Sequence, residues 1–356
     1  MTAFKKEKVN EWGQEKTSFT ESNSEGKIKL LNQPTFTSHR SGWNYAIHSI
    51  SKLHNKKGIN FYGFLENEFS WFKRQNIEDK TIPIKEDWTG FFHNPQNPPW
   101  WFSPNTCPLT MLQSPEFLES LETCQGLFCL SEYHANFLRE MTNKPVEVLL
   151  HPTEIPEVQF DFDAFYTNKQ RRLVNIGYWL RKVNSIYSLP IDESVYIKTR
   201  LLPYKKGSQP DDFVKLLRKK EFLYEHDSIK EIRRWHREPY TNVDEMYNIS
   251  NEEYDKLFSK NIVYLDMYDS SANNAVIECI ARATPLLINP IPAVVEYLGT
   301  SYPFYFRSFD EAIDKLEDIE LIHFTHEYLK SFSIREKMKG EEFLKDFQET
   351  SIYKSI

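Results

Sequence analysis

The sequence predicts an α/β protein with two doubly wound parallel-sheet domains, and three observations carry that prediction. Strand-like and helix-like segments alternate along both halves of the 356 residues, the signature of a parallel sheet covered on both faces. A stretch from His151 to Gln170, with Pro152, Pro156 and the acidic aromatic run FDFDAFY, interrupts that rhythm between the halves. The segment Asn261–Gly299 reads as strand, polar turn, amphipathic helix, strand and short helix, a complete β-turn-α-β unit.

In chain order, residues 1–26 are polar and read as a poorly ordered arm. Lys27–Leu31 is a candidate strand, Ser38–Gly42 a loop, and a helix follows with Trp43, Ala46, Ile47, Ile50 and Leu53 on one face. Ile59–Leu65 and Thr89–His93 read as strands. After them comes the proline-rich loop NPQNPPWWFSPNTCP, then a helix over Pro115–Thr123 and a strand over Gly126–Leu130. Ser131 caps a helix over Glu132–Met141, and Val146–Leu150 closes the first half as a strand. The second half restarts with a strand over Arg172–Gly177, another over Ser194–Thr199, and a helix over Asp211–Phe222. Asn242–Phe258 carries polar turns and one helical stretch, YDKLF. After the 261–299 unit come a strand over Tyr302–Phe306, a helix over Phe309–Asp318, and a charged helical tail from Phe324. The domain boundaries that follow are an arm at 1–26, a first domain at 27–150, a crossover at 151–170, a second domain at 171–325, and a tail at 326–356 packing back on the first domain.

Composition narrows the partners. Net charge is −7, from 51 acidic and 44 basic side chains mixed along the chain, and no basic block argues for nucleic acid. Four cysteines, at 107, 124, 129 and 279, form no C-x-x-C pair, so free thiols in a cytoplasmic setting are the simplest account. No apolar run approaches the roughly 18 residues needed to span a bilayer, which still allows peripheral contact with a membrane surface.

The 261–299 unit holds the densest candidate chemistry. Its first strand is Ile262–Tyr268, its turn Asp269-Ser270-Ser271, and its helix buries Ala275, Val276, Cys279, Ile280 and Ala283 before Thr284-Pro285 stops it and Leu286–Ile288 begins the next strand. Such a helix opens at the carboxyl edge of a parallel sheet, where α/β folds bind phosphorylated ligands. Ser271, Asn274 and Glu278 share one stripe of its first turns. Backbone N–H groups around Ser271, Asn273 and Asn274 suit a diphosphate, and Glu278 suits both hydroxyls of a ribose; a solvated outer face would show the same polar stripe. In the first half, the stiff loop Asn94–Pro104 displays Trp100, Trp101 and Phe102, rings suited equally to stacking on a sugar or to plugging an interface.

The run Glu278-Cys-Ile-Ala-Arg-Ala-Thr284-Pro285 resembles the E-A-x-A-x-G-T-P segment of GT-B glycosyltransferases, in particular the large retaining family with two glutamates separated by seven residues (family 4-like). The first glutamate of that pair falls at Ser270, with Asp269 one position early, so the first carboxylate is absent from its place. The resemblance covers Val146–Gly299 most closely. It implies two Rossmann-like domains facing a cleft, with a nucleotide sugar bound by the second.

By the same resemblance Arg181 and Lys182, after Gly177, neutralise the leaving diphosphate, with Arg200 a further candidate. His93 is then catalytic or contacts the donor sugar, while Arg40 and Gly42, with Trp100 and Trp101, lie toward the acceptor, and Glu278 acts in donor binding and catalysis. GT-B enzymes of this kind work without metal or cofactor; the letters of a metal motif, Asp161-Phe-Asp163, fall in the crossover. The expected function is transfer of a sugar from a UDP- or GDP-linked donor to a glycan, glycolipid or protein-linked acceptor, with retention preferred. A noncatalytic nucleotide-sugar-binding subunit and a nucleotide-sugar epimerase stand as alternatives, the first because Ser270 replaces a carboxylate.

Overall fold

A computed structural model describes residues 4–7, 15–19, 22–31, 33–35, 42–225 and 242–356, the first two of these stretches and 33–35 as backbone only. Two compact units account for the chain. One comprises Met1–Asn97, Ser103–Glu154 and Glu336–Ile356; the other comprises Pro98–Phe102 and Ile155–Arg335.

The first unit contains β1 (Phe4–Glu7), β2 (Glu15–Phe19), β3 (Ile28–Leu30), β4 (Gln33–Thr35), β5 (Ile59–Tyr62), β6 (Trp88–Phe91), β7 (Cys124–Cys129) and β8 (Val146–Val148). Its main sheet is parallel throughout in the order β3-β5-β6-β7-β8. Where the sequence predicts an irregular arm, β1 and β2 instead pair antiparallel, and β4 adds to β2 as a third strand. The core below the main sheet is aromatic: Trp88, Phe92, Phe117 and Phe69 pack with Leu127 and Leu138. The Trp88 indole N–H is not wasted there, since it donates to the Ser120 carbonyl at 2.7 Å.

The last helices complete this unit. In the helix Gly340–Glu349, Phe343, Leu344 and Phe347 are buried, and the Phe347 ring lies 5.8 Å from Phe61 and 5.3 Å from Phe128. The Gly340 N–H donates to the Tyr45 hydroxyl, and Glu147 on β8 accepts from the backbone of Ser351 and Ile352.

The second unit contains β9 (Arg171–Ile176), β10 (Tyr196–Leu202), β11 (Val243–Tyr247), β12 (Ile262–Leu265) and β13 (Leu286–Ile288), parallel in the order β11-β10-β9-β12-β13. The chain starts at the centre, builds outward through β10 and β11, then returns to β12 on the other side of β9. That reversal makes the β9/β12 boundary a topological switch point, where such sheets bind ligands beyond their strand ends. All four residues of β12 are fully buried, as expected of a central parallel strand covered on both sides.

Two predicted elements differ. Val243–Tyr247, read as turns, is the edge strand β11; its charged residues are accommodated because only one edge of the strand pairs. Tyr302–Phe306, read as a strand, makes only a single bridge from Tyr305 to Ile288, because Pro303 lacks an N–H and no longer ladder can form.

The aromatic loop 98–102 packs within the second unit. Trp101 and Phe102 join Leu180, Val183 and Leu217 in its core, and the Trp101 indole N–H donates to Glu225 at 2.9 Å. Among the described residues no helix is long and apolar enough to cross a membrane.

Removing the Phe347 ring should cost the first unit about 3–5 kcal/mol, the range for large-to-small changes in a packed aromatic core. Denaturant unfolding of Phe347→Ala checks this; an unchanged midpoint would show that the C-terminal helices contribute nothing to that core.

Candidate functional site

The site begins at the carboxyl ends of β9 and β12, which are direct neighbours in the sheet. Their following loops pair with each other. The Lys182 N–H donates to the Asp266 carbonyl at 2.8 Å, and the Tyr268 N–H to the Leu180 carbonyl at 2.9 Å, with Arg181 bridged to Met267 between them. Asn289, just past β13, clamps Met267 through both its backbone N–H and carbonyl at 2.8 Å. Gly177 makes the exit from β9 possible: its φ is +72°, and a Cβ there would lie 3.1 Å from the Arg181 guanidinium carbon.

Arg181 is thereby laid across the start of the helix Asn274–Arg282. Asn273 is the N-cap of that helix, its Oδ1 accepting from the backbone N–H of Ala275 at 3.0 Å and of Val276 at 3.4 Å. The same Oδ1 accepts from Arg181 Nη2 at 3.1 Å, while Nη1 donates to the Trp179 carbonyl and Nε has no partner among the described residues. Arg181 is only 8 % exposed, and among the described residues no carboxylate forms an ion pair with it. Burial lowers its pKa to about 10, so it remains a cation at neutral pH. A buried guanidinium therefore sits beside the positive end of a helix dipole with no anion from the described residues paired to it.

Glu278 lies one turn further along and is 3 % exposed. The helix is buried from Ala275 to Arg282, so its polar stripe is not a solvated outer face. The Tyr254 hydroxyl donates to Glu278 Oε2, Arg282 Nη1 lies 3.9 Å from the same oxygen, and Arg282 Nη2 pairs with Asp255 at 3.0 Å. Ser271 is buried in the turn, and Asn274 is partly exposed. Asp269 uses Oδ1 to accept from the Ser270 N–H, which commits that oxygen to the turn itself.

The remaining predicted cations surround this centre. Lys182 Nζ pairs with the buried Asp266 at 3.0 Å. Arg200 is completely buried on β10, where Nη1 donates to the Val183 carbonyl and the Tyr187 hydroxyl, so it supports the 183–187 segment, which includes the start of the short helix Ser185–Ser188, from beneath. The same segment is held from the helix Gln209–Glu225, where Glu221 accepts from the Asn184 N–H at 3.2 Å and Arg218 Nε donates to Asn184 Oδ1 at 3.0 Å. Burial raises the Glu221 pKa to about 8 and also raises that of Asp266, with Lys182 opposing the latter.

The residues expected toward the acceptor lie on other segments of the chain. Arg40 lies outside the described residues. Gly42 opens the helix Gly42–Ser49 at φ +49°, and the next residue, Trp43, sets its ring 4.4 Å from that of His93 in the first unit. His93 also stacks on Phe64 at 3.9 Å, and its Nε2 bonds the Gly63 carbonyl at 2.8 Å. Burial lowers its pKa to about 3, so it is neutral at physiological pH. The backbone N–H groups of His93 and Asn94 both donate to the fully buried Glu66, whose carboxyl burial pushes up to about 7. Of the loop tryptophans, Trp101 is buried and Trp100 is 69 % exposed, its ring edge against Tyr224.

Tyr254, Glu221 and Glu66 escape the sequence reading. Each meets its partner across elements 24 or more residues distant, a separation that leaves no trace in local spacing. Among the described residues no group of three or more His, Cys, Asp or Glu side chains is placed to hold a metal.

Two parallel five-stranded sheets flanked by helices define the GT-B fold, and solved glycosyltransferases share it with this chain. HepE from Anabaena, solved in complex with UDP-glucose, matches with a TM-score of 0.58 at 10% identity, over 93% of this chain and 100% of that one. A UDP-forming α,α-trehalose-phosphate synthase from Burkholderia xenovorans, solved with glucose-6-phosphate, matches with a TM-score of 0.52 at 9% identity, over 86% of this chain and 76% of that one. TarM from S. aureus, solved with UDP, matches with a TM-score of 0.52 at 11% identity, over 75% of this chain and 50% of that one. By sequence, no family model matches the chain, and no curated protein matches it.

Glu221 generates a pH prediction. Its folded pKa of about 8 lies above the ordinary carboxylate value of 4.5, so between those values the folded state holds a proton that the unfolded state releases. Its contribution to stability is fully present below about pH 4 and declines as pH rises toward 8. Measured by urea midpoints from pH 5 to 8, Glu221→Gln should remove that decline while Glu66 in the first unit titrates alike in both proteins. Parallel midpoint curves for the two proteins would contradict a protonated Glu221.

Proposed function

We propose that the chain is a glycosyltransferase that moves a sugar from a nucleotide-sugar donor to a hydroxyl acceptor. The observation that carries this reading is the Arg181 guanidinium, buried at the N-terminus of the Asn274–Arg282 helix without a counter-anion among the described residues. A fixed cation beside a helix N-terminus repels the helix dipole unless an anion joins them, and a diphosphate fits that place. Glu278, one turn away, supplies a carboxylate to the ribose hydroxyls. The GT-B fold, with neighbours solved with UDP and UDP-glucose, favours a UDP-linked donor.

In the reaction the bond between the sugar's anomeric carbon and the diphosphate oxygen breaks, and the acceptor oxygen bonds to that carbon. The acceptor's proton passes to a departing phosphate oxygen, which keeps the incoming group on the face the leaving group vacates and gives retention. Negative charge accumulates on the diphosphate as it leaves. Arg181, Lys182 and the helix N-terminus oppose that charge from positions set before the reaction begins, the efficient form of electrostatic catalysis. These cationic groups take the part a metal plays elsewhere, so the proposed transfer is metal-independent and needs no cofactor.

A noncatalytic nucleotide-sugar-binding subunit is the second reading. It draws support from Ser270 and from Asp269, which spends one carboxylate oxygen on its own turn.

Arg181→Gln tests the proposal on two readouts. Removing a buried, unpaired charge should leave the melting temperature of the unliganded protein unchanged or higher. The stabilisation that the wild type gains from UDP- or GDP-sugars should disappear, and turnover, read as donor hydrolysis without acceptor or as transfer, should fall about 10²–10³-fold. A variant that melts several degrees lower yet keeps its nucleotide shift would sink the anion-seat reading. Nucleotide-dependent stabilisation of the wild type without hydrolysis or transfer would favour the noncatalytic subunit.

A further inference from the structure

Glu278 does not sit in the helix Asn274–Arg282 as a lone carboxylate. The helix Asn251–Phe258 runs against it and grips it at two successive positions. Tyr254 donates its hydroxyl proton to Glu278 Oε2, and Asp255 takes the Arg282 guanidinium at 3.0 Å. Glu278 and Arg282 are four apart and so lie on one face, while Tyr254 and Asp255 are adjacent. The gripping helix is itself pinned at its start by a complete capping box between Ser250 and Glu253. The Tyr254 ring is packed 4.4 Å from Phe258 and lies beneath the Arg282 guanidinium at 5.6 Å. A tyrosine held at both ends in this way has little freedom, and neither does the carboxylate it bonds.

We infer that Tyr254 is a positioning residue: its hydroxyl sets the Glu278 carboxylate to read the ribose 2′-hydroxyl, so the chain selects ribonucleoside over 2′-deoxyribonucleoside diphosphates. The inference rests on the nucleotide-sugar reading above and adds a specificity that reading does not require. A carboxylate offers about four acceptor directions. A hydroxyl donor fixed on one oxygen limits which directions a ligand can use and suppresses the rotation that would let the group adapt to a sugar lacking its 2′-hydroxyl. Sites built to hydrogen-bond a particular hydroxyl reject analogues without it far more strongly than apolar pockets do.

The experiment is calorimetric titration of UDP against 2′-deoxy-UDP, and of GDP against 2′-deoxy-GDP, with wild type, Tyr254→Phe, Glu278→Ala and the double variant. The wild type should prefer the ribonucleotide of its base by at least about tenfold. Tyr254→Phe should weaken ribonucleotide binding several-fold while leaving the deoxyribonucleotide affinity in place, so the ratio narrows. In the Glu278→Ala background the tyrosine substitution should have no further effect, because the hydroxyl acts only through that carboxylate. Should Tyr254→Phe fail to fold, Glu278→Asp, which withdraws the carboxylate from the hydroxyl by one methylene, is expected to narrow the same ratio. A Tyr254→Phe protein that keeps the wild-type ratio, or that loses both nucleotides equally, overturns the inference. So does a wild type that binds nucleotide without preferring ribose, and that result leaves the donor reading intact. A wild type that binds neither pair overturns the donor reading and this inference together.

Discussion

The second unit depends on one unbalanced interaction, the Arg181 guanidinium held by Asn273 at the start of a helix with no anion among the described residues to meet it. Burying a cation is costly, and burying it beside the positive end of a helix dipole is more so. A fold that only needed stability would place an apolar side chain there. The arrangement persists because several neighbours enforce it: a glycine that leaves room for the guanidinium, two loops zipped together by backbone hydrogen bonds, and an N-cap whose single oxygen serves both the helix and the arginine. Strain of this kind is tolerated where a ligand relieves it.

The supporting polar groups are arranged by layer. Arg200 and Glu221 hold the 183–187 segment that follows Arg181, one from the strand beneath and one from a neighbouring helix. Lys182, tied to Asp266, joins the same segment to the end of β12. On the far side Tyr254 and Arg282 hold Glu278, and Asp255 holds Arg282 in turn. Most polar side chains around the centre are thus engaged by another protein group, and among the described residues the Arg181 Nε is one of several buried nitrogens, with those of Arg200 and Arg282, left without a hydrogen-bond partner.

Much of this was legible in the amino-acid order. The strand, turn, helix and strand of the 261–299 unit appear at Ile262–Leu265, Asn274–Arg282 and Leu286–Ile288, because apolar periodicity and the Thr284-Pro285 stop are local signals. The parallel alternation in both halves was readable for the same reason. What local pattern could not supply were partners. Whether Glu278 faced water or the interior depended on Tyr254 and Arg282, and nothing in a polar stripe reveals that a tyrosine 24 residues earlier will meet it. The loop 98–102 reads as an appendage of the first half because it is contiguous with it, yet Trp101 and Phe102 pack among Leu180, Val183 and Leu217. Polar β11 and the proline-broken Tyr302–Phe306 segment show the converse error, in which strand-forming composition and strand pairing part company.

The most direct measurement is the structure of the chain with a nucleoside diphosphate sugar bound, UDP-glucose first. The account predicts the two phosphates at the N-terminus of the Asn274–Arg282 helix, with Arg181 within hydrogen-bond distance of a phosphate oxygen and the ribose at Glu278. A diphosphate bound elsewhere, or an Arg181 turned to a protein carboxylate while the nucleotide is present, would contradict it.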